Sequence, residues 1–159
     1  MARRPMLRKC GACGEKAVGL AVVPYQTRVD HDGQKYDISL DALNVPQCSN
    51  CSEIYLDDNA EEAIYGELRR QARLLTPQAI RAFRESHGLS QKALGEDLVI
   101  APETISRWET GSQIQSMHHD RMLRAYFANP SFRETLKAAR IEACASDFER
   151  EKVSGPVLR

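Results

Sequence analysis

Apolar positions recur with two different periods along the chain, and the change of period divides it. Between residues 18 and 45 they largely alternate with polar ones, as on half-buried strands. Val18 to Val23 is a short apolar run, and Val29 and His31 lead into the turn dipeptide Asp32-Gly33. Tyr36, Ile38 and Leu40 then alternate with polar residues, and Leu43 and Val45 resume the pattern before Pro46. This predicts a sheet of two or three short strands around a hairpin turn. So small a sheet is marginal in water. Something besides burial must help it fold.

From Asp57 onward the period is helical. Asp57, Asp58 and Asn59, followed by Glu61 and Glu62, read as an acidic helix start, with Ile64, Leu68 and Ala72 on one face. Arg69, Arg70 and Arg73 gather at its end, where cations offset the helix dipole; a phosphate site is the alternative reading. The next helix starts at Thr76-Pro77 and stops at His87-Gly88, with Ile80, Phe83 and Arg84 on its inward face and flank. Ser90 caps a helix whose stripe is Leu89, Ala93, Leu94 and Leu98. Pro102 opens another, with Ile105 and Trp108 inward and Gly111 at its end. Ser116 to Phe127 follows, offering Met117, Leu123, Tyr126 and Phe127 to a core. His118 and His119, about 100° apart on a helix, cannot easily share one metal and read as surface or dimer-flank residues. Asn129-Pro130 breaks the chain before a last helix, capped by Ser131 and running from Phe132 to about Phe148 with Leu136, Ala139 and Ile141.

These elements predict an α+β chain. A small β module covers 1–56, a connecting helix 57–75, an all-α domain 76–148 and a flexible tail 149–159. Lys plus Arg and Asp plus Glu balance at 22 each, and 76–127 is balanced as well, so no global positive field advertises a polyanion. Affinity for nucleic acid would then rest on a few placed Lys and Arg residues and fall steeply with salt. No apolar run is long enough for a bilayer, and MARRPMLRKC lacks the apolar core of a signal peptide. A cytoplasmic protein without membrane contact is expected.

The five cysteines divide as four plus one. Cys10 and Cys13 form C-G-A-C-G, and Cys48 and Cys51 form C-S-N-C-S. A C-x-x-C turn brings two thiolates to one side of a knuckle, and two knuckles complete a tetrahedron around one structural zinc. Gly11 and Gly14 allow the first knuckle to bend, and Arg8, Lys9 and Lys16 offset the charge of four thiolates. Iron in a rubredoxin-like site and redox thiols are the alternatives. Metal binding would supply the folding energy the small sheet lacks. Four thiolates close the site, leaving no position for a metal-bound water. His31 is the rival zinc ligand, but four cysteines already close the site, and beside the turn it reads as an exposed residue. Cys144 reads as an ordinary half-buried thiol.

The stretch from Leu89 to Gly111, LSQKALGEDLVIAPETISRWETG, resembles the helix-turn-helix of the Cro and phage-repressor (Xre) class. The match runs through L-S-Q-x-x-L-x-x-x-L and T-I-S-R-W-E. The resemblance implies that Gln91, with Lys92 beside it, meets phosphate. It further implies that Glu103, Thr104, Ser106 and Arg107 face the major groove. Their chemistry suits that role, because Arg donates to guanine O6 and N7 and Glu accepts from cytosine N4. Two positions depart from the class: Val99 stands where glycine is usual and Ala101 where a Ser or Thr cap is usual. A helical hairpin without nucleic acid is the alternative.

Two C-x-x-C pairs, then an acid-started helix, then this motif form an order similar to the MqsA/YgiT-type antitoxins. That resemblance, over roughly residues 9–143, implies a zinc module that binds a toxin protein. It also implies a homodimeric helix-turn-helix domain that represses its own operon at a palindromic double-stranded operator. The alternatives are a stand-alone regulator sensing metal or thiol redox state, and an iron electron-transfer protein with a rubredoxin-like centre. Nothing in the chain carries the signature of an enzyme: no nucleophile with a base, no phosphate-cradling glycine loop, no open metal site.

Overall fold

The computed structural model describes residues 8–139. Ile141, Cys144 and the stretch 149–159 therefore lie outside the described residues. The chain divides into two compact units, with the boundary between Leu74 and Leu75. No helix among the described residues is long and apolar enough to cross a membrane.

The first unit is built on one long hairpin rather than on several short strands. Strand β1 (Val18–His31) pairs antiparallel with β2 (Gln34–Cys48) along its whole length. Asp32 and Gly33, with φ of 55° and 76°, make the two-residue turn that the right-handed twist of a hairpin favours. The apparent gap in the apolar pattern is a bulge. Register slips between Val23 and Tyr25, and Pro24 sits in that slip, where a residue without an N–H breaks no ladder bond. Burial alternates along β1, with Ala21, Val23, Tyr25, Thr27 and Val29 half-buried and Leu20 and Val22 exposed.

Helix α1 (Asp58–Gln71) supplies the cover this ribbon needs. Asp57 caps it by accepting the Ala60 N–H at 3.0 Å. Its buried Ala60, Ile64 and Leu68 belong to the face that packs on β2, where Ile38, Leu43 and Val45 are buried. Gln71 ties its end to the Asp37 carbonyl at 3.1 Å. The helix thus lies in the same unit as the sheet. Two of the three arginines at its end part company: Arg69 turns inward to 5% exposure, while Arg70 forks onto Glu67 at 2.7 and 2.6 Å.

The second unit is helical: α2 (Pro77–Ser86), α3 (Gln91–Leu98), α4 (Pro102–Thr110) and α5 (Met117–Ala128), with a further helical stretch over 130–139. Thr76, Ser90 and Ser116 cap α2, α3 and α5 by accepting the N–H groups of Ala79, Ala93 and His119. The last stretch is capped by Asn129, which accepts the Phe132 N–H at 3.2 Å, and not by Ser131. The core gathers Leu75, Ile80, Leu94, Leu98, Ile105, Trp108, Leu123, Tyr126 and Phe127. Phe83 is not inward; it is 42% exposed, its ring 5.4 Å from that of Phe127. The unit's first residue is held from both sides. Leu75 N–H donates to the buried Asp120 carboxylate at 2.6 Å, and Leu75 C=O accepts from Gln115 Nε2 at 2.8 Å.

Candidate nucleic-acid interface and metal centre

The hairpin register delivers all four paired cysteines to one end of the ribbon. Val18 pairs with Cys48 on one side and with Arg8 on the other, so the chain on either side of the first knuckle is stitched beside the second. The four Sγ atoms lie within 4.8 Å of one another, with Cys10–Cys51 at 3.6 Å and Cys13–Cys48 at 3.7 Å. A zinc–sulfur distance of about 2.3 Å in a tetrahedron implies sulfur edges of about 3.8 Å. The two close sulfur pairs match that edge, and the cage as a whole has the size of a tetrahedral four-thiolate site.

The two knuckles are the same local fold, written by a repeat longer than C-x-x-C. Cys10 N–H donates to Glu15 C=O and Gly14 N–H to Cys10 C=O; Cys48 N–H donates to Glu53 C=O and Ser52 N–H to Cys48 C=O. Gly14 (φ 79°) and Ser52 (φ 63°) occupy the equivalent left-handed position, which glycine takes without strain. Gly11 lies in the turn but not in the left-handed region, and its equivalent in the second knuckle is Ser49. Its N–H instead donates to Tyr55 Oη at 2.8 Å. Having accepted that bond, the Tyr55 hydroxyl is free to donate to Cys10 Sγ at 3.2 Å.

The electrostatics of the cluster call for a cation. The Tyr55 hydroxyl, with the N–H groups of Cys13 and Ala12, pulls the Cys10 thiol down to about 6. The Glu15 N–H and the Asn50 side-chain amide lower Cys13. At Cys51 the Glu53 N–H lowers the thiol, but desolvation and the three neighbouring sulfurs outweigh it and push it up to about 12. Four thiolates so close cannot all ionise by themselves; a bound dication removes the conflict. The donor set and its geometry are consistent with zinc.

His31 stands apart from this set. It lies at the turn end of the ribbon, thirteen residues along β1 from Val18, roughly 40 Å away at ~3.3 Å per residue. It is half-buried rather than exposed. Arg8, Lys9 and Lys16 are exposed around the first knuckle.

In the second unit α3 and α4 pack against each other and α2 packs on α4. The turn between α3 and α4 is tight. Val99 ends α3 in the left-handed region at φ 56° and ψ 45°, and the Ile100 N–H returns to the Gly95 carbonyl at 2.8 Å. Gly95 is there for space: a Cβ on it would stand 2.4 Å from the Ile100 carbonyl oxygen. Pro102 opens α4, and Ala101 gives it no side-chain cap.

On α4, Ile105 and Trp108 are buried in the core, Glu103 and Arg107 are exposed, and Thr104 and Ser106 are half-exposed. These four polar side chains are thus kept out of the core and close together in sequence. Lys92 is exposed on α3, 3.9 Å from Glu96. Gln91 is half-buried and already engaged, donating from Nε2 to Glu109 Oε2 at 2.9 Å. Glu109 also takes Arg84 Nε on Oε1 at 2.5 Å and Arg84 Nη2 on Oε2 at 2.9 Å. Burial alone would raise its pKa, but the bonds from Arg84 and Gln91 win and hold the carboxyl below its usual range. The pattern of apolar positions marks Trp108 as inward but gives no sign that Glu109 beside it is buried too. His119 is also more than a surface residue, its ring 5.1 Å from that of Trp108.

A short helix, a tight turn and a second helix with an exposed polar face define the helix-turn-helix class. Residues 80–119 match the helix-turn-helix family model, which indicates a DNA-binding regulator. No curated protein matches the chain.

Proposed function

We propose that the protein is a sequence-specific transcription repressor, the antitoxin of a toxin–antitoxin pair. On this reading it binds a palindromic operator as a homodimer through α4 and meets its toxin through the cysteine module, which holds one structural zinc. The observation that carries the DNA half is the exposure of Glu103 and Arg107 on a helix whose Ile105 and Trp108 are buried. Arg107 is suited to guanine and Glu103 to cytosine in the major groove. Thr104, Ser106 and Lys92 would fill in polar and phosphate contacts. Gln91 has a second amide N–H to offer a phosphate oxygen while the first stays on Glu109. Dimerisation supplies the affinity that a chain of zero net charge lacks, with half-sites about 34 Å apart.

The antitoxin role is supported by the order of modules, a four-cysteine unit followed by a helix-turn-helix. Co-expression of the tagged protein with the product of the adjacent gene tests it. The expected result is a stable complex and rescue of growth when the neighbour is toxic. Absence of both would leave a stand-alone regulator, for which the exposure of two of the four cluster cysteines is the supporting observation.

A further inference from the structure

The two knuckles share a backbone design but not their side-chain surroundings. Cys10 and Cys48 are buried, at 1% and 0% exposure, whereas Cys13 and Cys51 face solvent. Of the two exposed sulfurs, Cys13 receives the Asn50 side-chain amide at 3.6 Å in addition to the Glu15 N–H. Cys51 receives the Glu53 N–H and, among the described residues, no amide or hydroxyl side chain. Donors aimed at a thiolate draw charge from it and blunt its attack on electrophiles, while burial blocks access. Access and electron density therefore coincide at one sulfur of the four.

Resting on the metal-holding reading of the cluster, we infer that Cys51 is a modification site, the ligand sulfur that a small electrophile such as a hydroperoxide or an alkylating agent meets first. The Cys10 sulfur, 3.6 Å away, is its partner. With hydrogen peroxide the Cys51 thiolate attacks one peroxide oxygen. The O–O bond breaks, an S–O bond forms, and hydroxide leaves. The Cys10 thiolate then attacks the sulfenic sulfur, forming the S–S bond as a second hydroxide leaves. Two sulfurs lose one electron each and the peroxide gains both. Cys13 and Cys48 remain, too few to keep a four-coordinate ion, and the metal departs.

The test uses the full-length protein in a Cys144→Ser background, with zinc content fixed first by elemental analysis. Zinc well below one per chain would overturn the metal-holding reading and this inference with it. On zinc-loaded protein, a substoichiometric dose of N-ethylmaleimide followed by peptide mapping should place most of the label on Cys51. Hydrogen peroxide should yield a Cys10–Cys51 disulfide with one zinc released per chain to a chromogenic chelator. Label appearing first on Cys13, or equally on both, would overturn the assignment while leaving the metal site standing. Asn50→Ala supplies the second arm. Removal of the exposed amide should raise Cys13 labelling to the rate of Cys51, and an unchanged Cys13 rate would refute the hydrogen-bond basis.

Discussion

Arg84 of α2 and Glu109 near the end of α4 close on each other as a two-pronged fork, with the carboxylate wholly withdrawn from solvent. This pair spans 25 residues and holds the first helix of the unit to the helix that carries Arg107. Removing Arg84 leaves the buried carboxylate, among the described residues, only the Gln91 amide and Arg81 at 3.6 Å. Breaking such a buried pair costs about 3–5 kcal/mol, whereas replacing both partners with apolar residues costs less. Arg84→Met and Glu109→Leu should each shift the urea midpoint of the helical unit strongly downward. The double variant should recover most of the loss. Additive losses would contradict the coupling.

The same pair sets a pH dependence. Glu109 has a folded pKa below the ordinary value of 4.5, so its contribution is fully present above that value and is lost as pH falls through the depressed one. The stability advantage of the natural protein over Glu109→Gln should be constant near neutral pH and shrink in acid. Urea titrations of both proteins across that range would show it. An advantage that grew in acid would reverse the sign.

The turn between α3 and α4 offers two opposite outcomes. Gly95→Ala gains about 1 kcal/mol of helix propensity, but its Cβ would press on a backbone oxygen that cannot swing away. Overpacking of about 1–3 kcal/mol should win, and thermal stability should fall. Val99 is a β-branched residue in the left-handed region with 93% of its surface exposed. Val99→Gly relieves about 1–2 kcal/mol of strain, loses no packing, and gives back roughly 0.4–1 kcal/mol through a freer unfolded chain. A small net stabilisation is expected, and a lower melting temperature would show that the valine side chain has a contact of its own.

Tyr55→Phe keeps the ring and removes the hydroxyl that touches Cys10 Sγ and Gly11 N–H. Loss of such a partner behind a ligand typically weakens metal affinity about 10–100-fold. Competition with a chelator should find the variant in that range, with one metal per chain still bound at excess. Chelation of the natural protein should strip hydrogen-exchange protection from β1 and β2 while α2 to α5 keep theirs. Equal loss in both units would mean that they do not fold on separate cores.

Arg107→Ala should weaken operator binding by about 1–3 kcal/mol and relax preference at one base position. Gln91→Ala should weaken binding to all sequences alike and, unlike Arg107→Ala, should also lower stability, because Glu109 loses a donor. Gel-shift titrations on operator and scrambled DNA, with parallel urea melts, separate the two. Unchanged specificity in Arg107→Ala would remove that side chain from the groove.

What the sequence reveals and what it hides divides by physical type. Spacing alone exposes the cysteine pairs, the Asp57, Thr76 and Ser90 caps, and the inward Ile105 and Trp108, because each is a local rule. The length of the hairpin stays hidden because Pro24 reads as a break, and only its partner strand reveals a bulge. The attachment of α1 to β2 is hidden for the same reason. Glu109, Asp120 and Gln115 look like surface residues until partners 25, 45 and 40 positions away, Arg84 and the Leu75 backbone, come into contact with them. The repeat that extends each knuckle to Glu15 and Glu53 was visible but carried by backbone atoms, and no side-chain chemistry draws the eye to it.

The hairpin leaves the cluster at Val18 and returns to it at Cys48, residues that face each other across the ladder. Everything between them is a closed excursion whose length the cysteine cage does not sense. Deleting Val29 and Asp30 together with their ladder partners Tyr36 and Lys35 would keep both side-chain faces and the turn intact. The ribbon would shorten by about 7 Å with the cage untouched. The first unit is thus a telescoping arm on a fixed hinge, one whose reach can change by insertion or loss in matched steps without renegotiating the chemistry at its base.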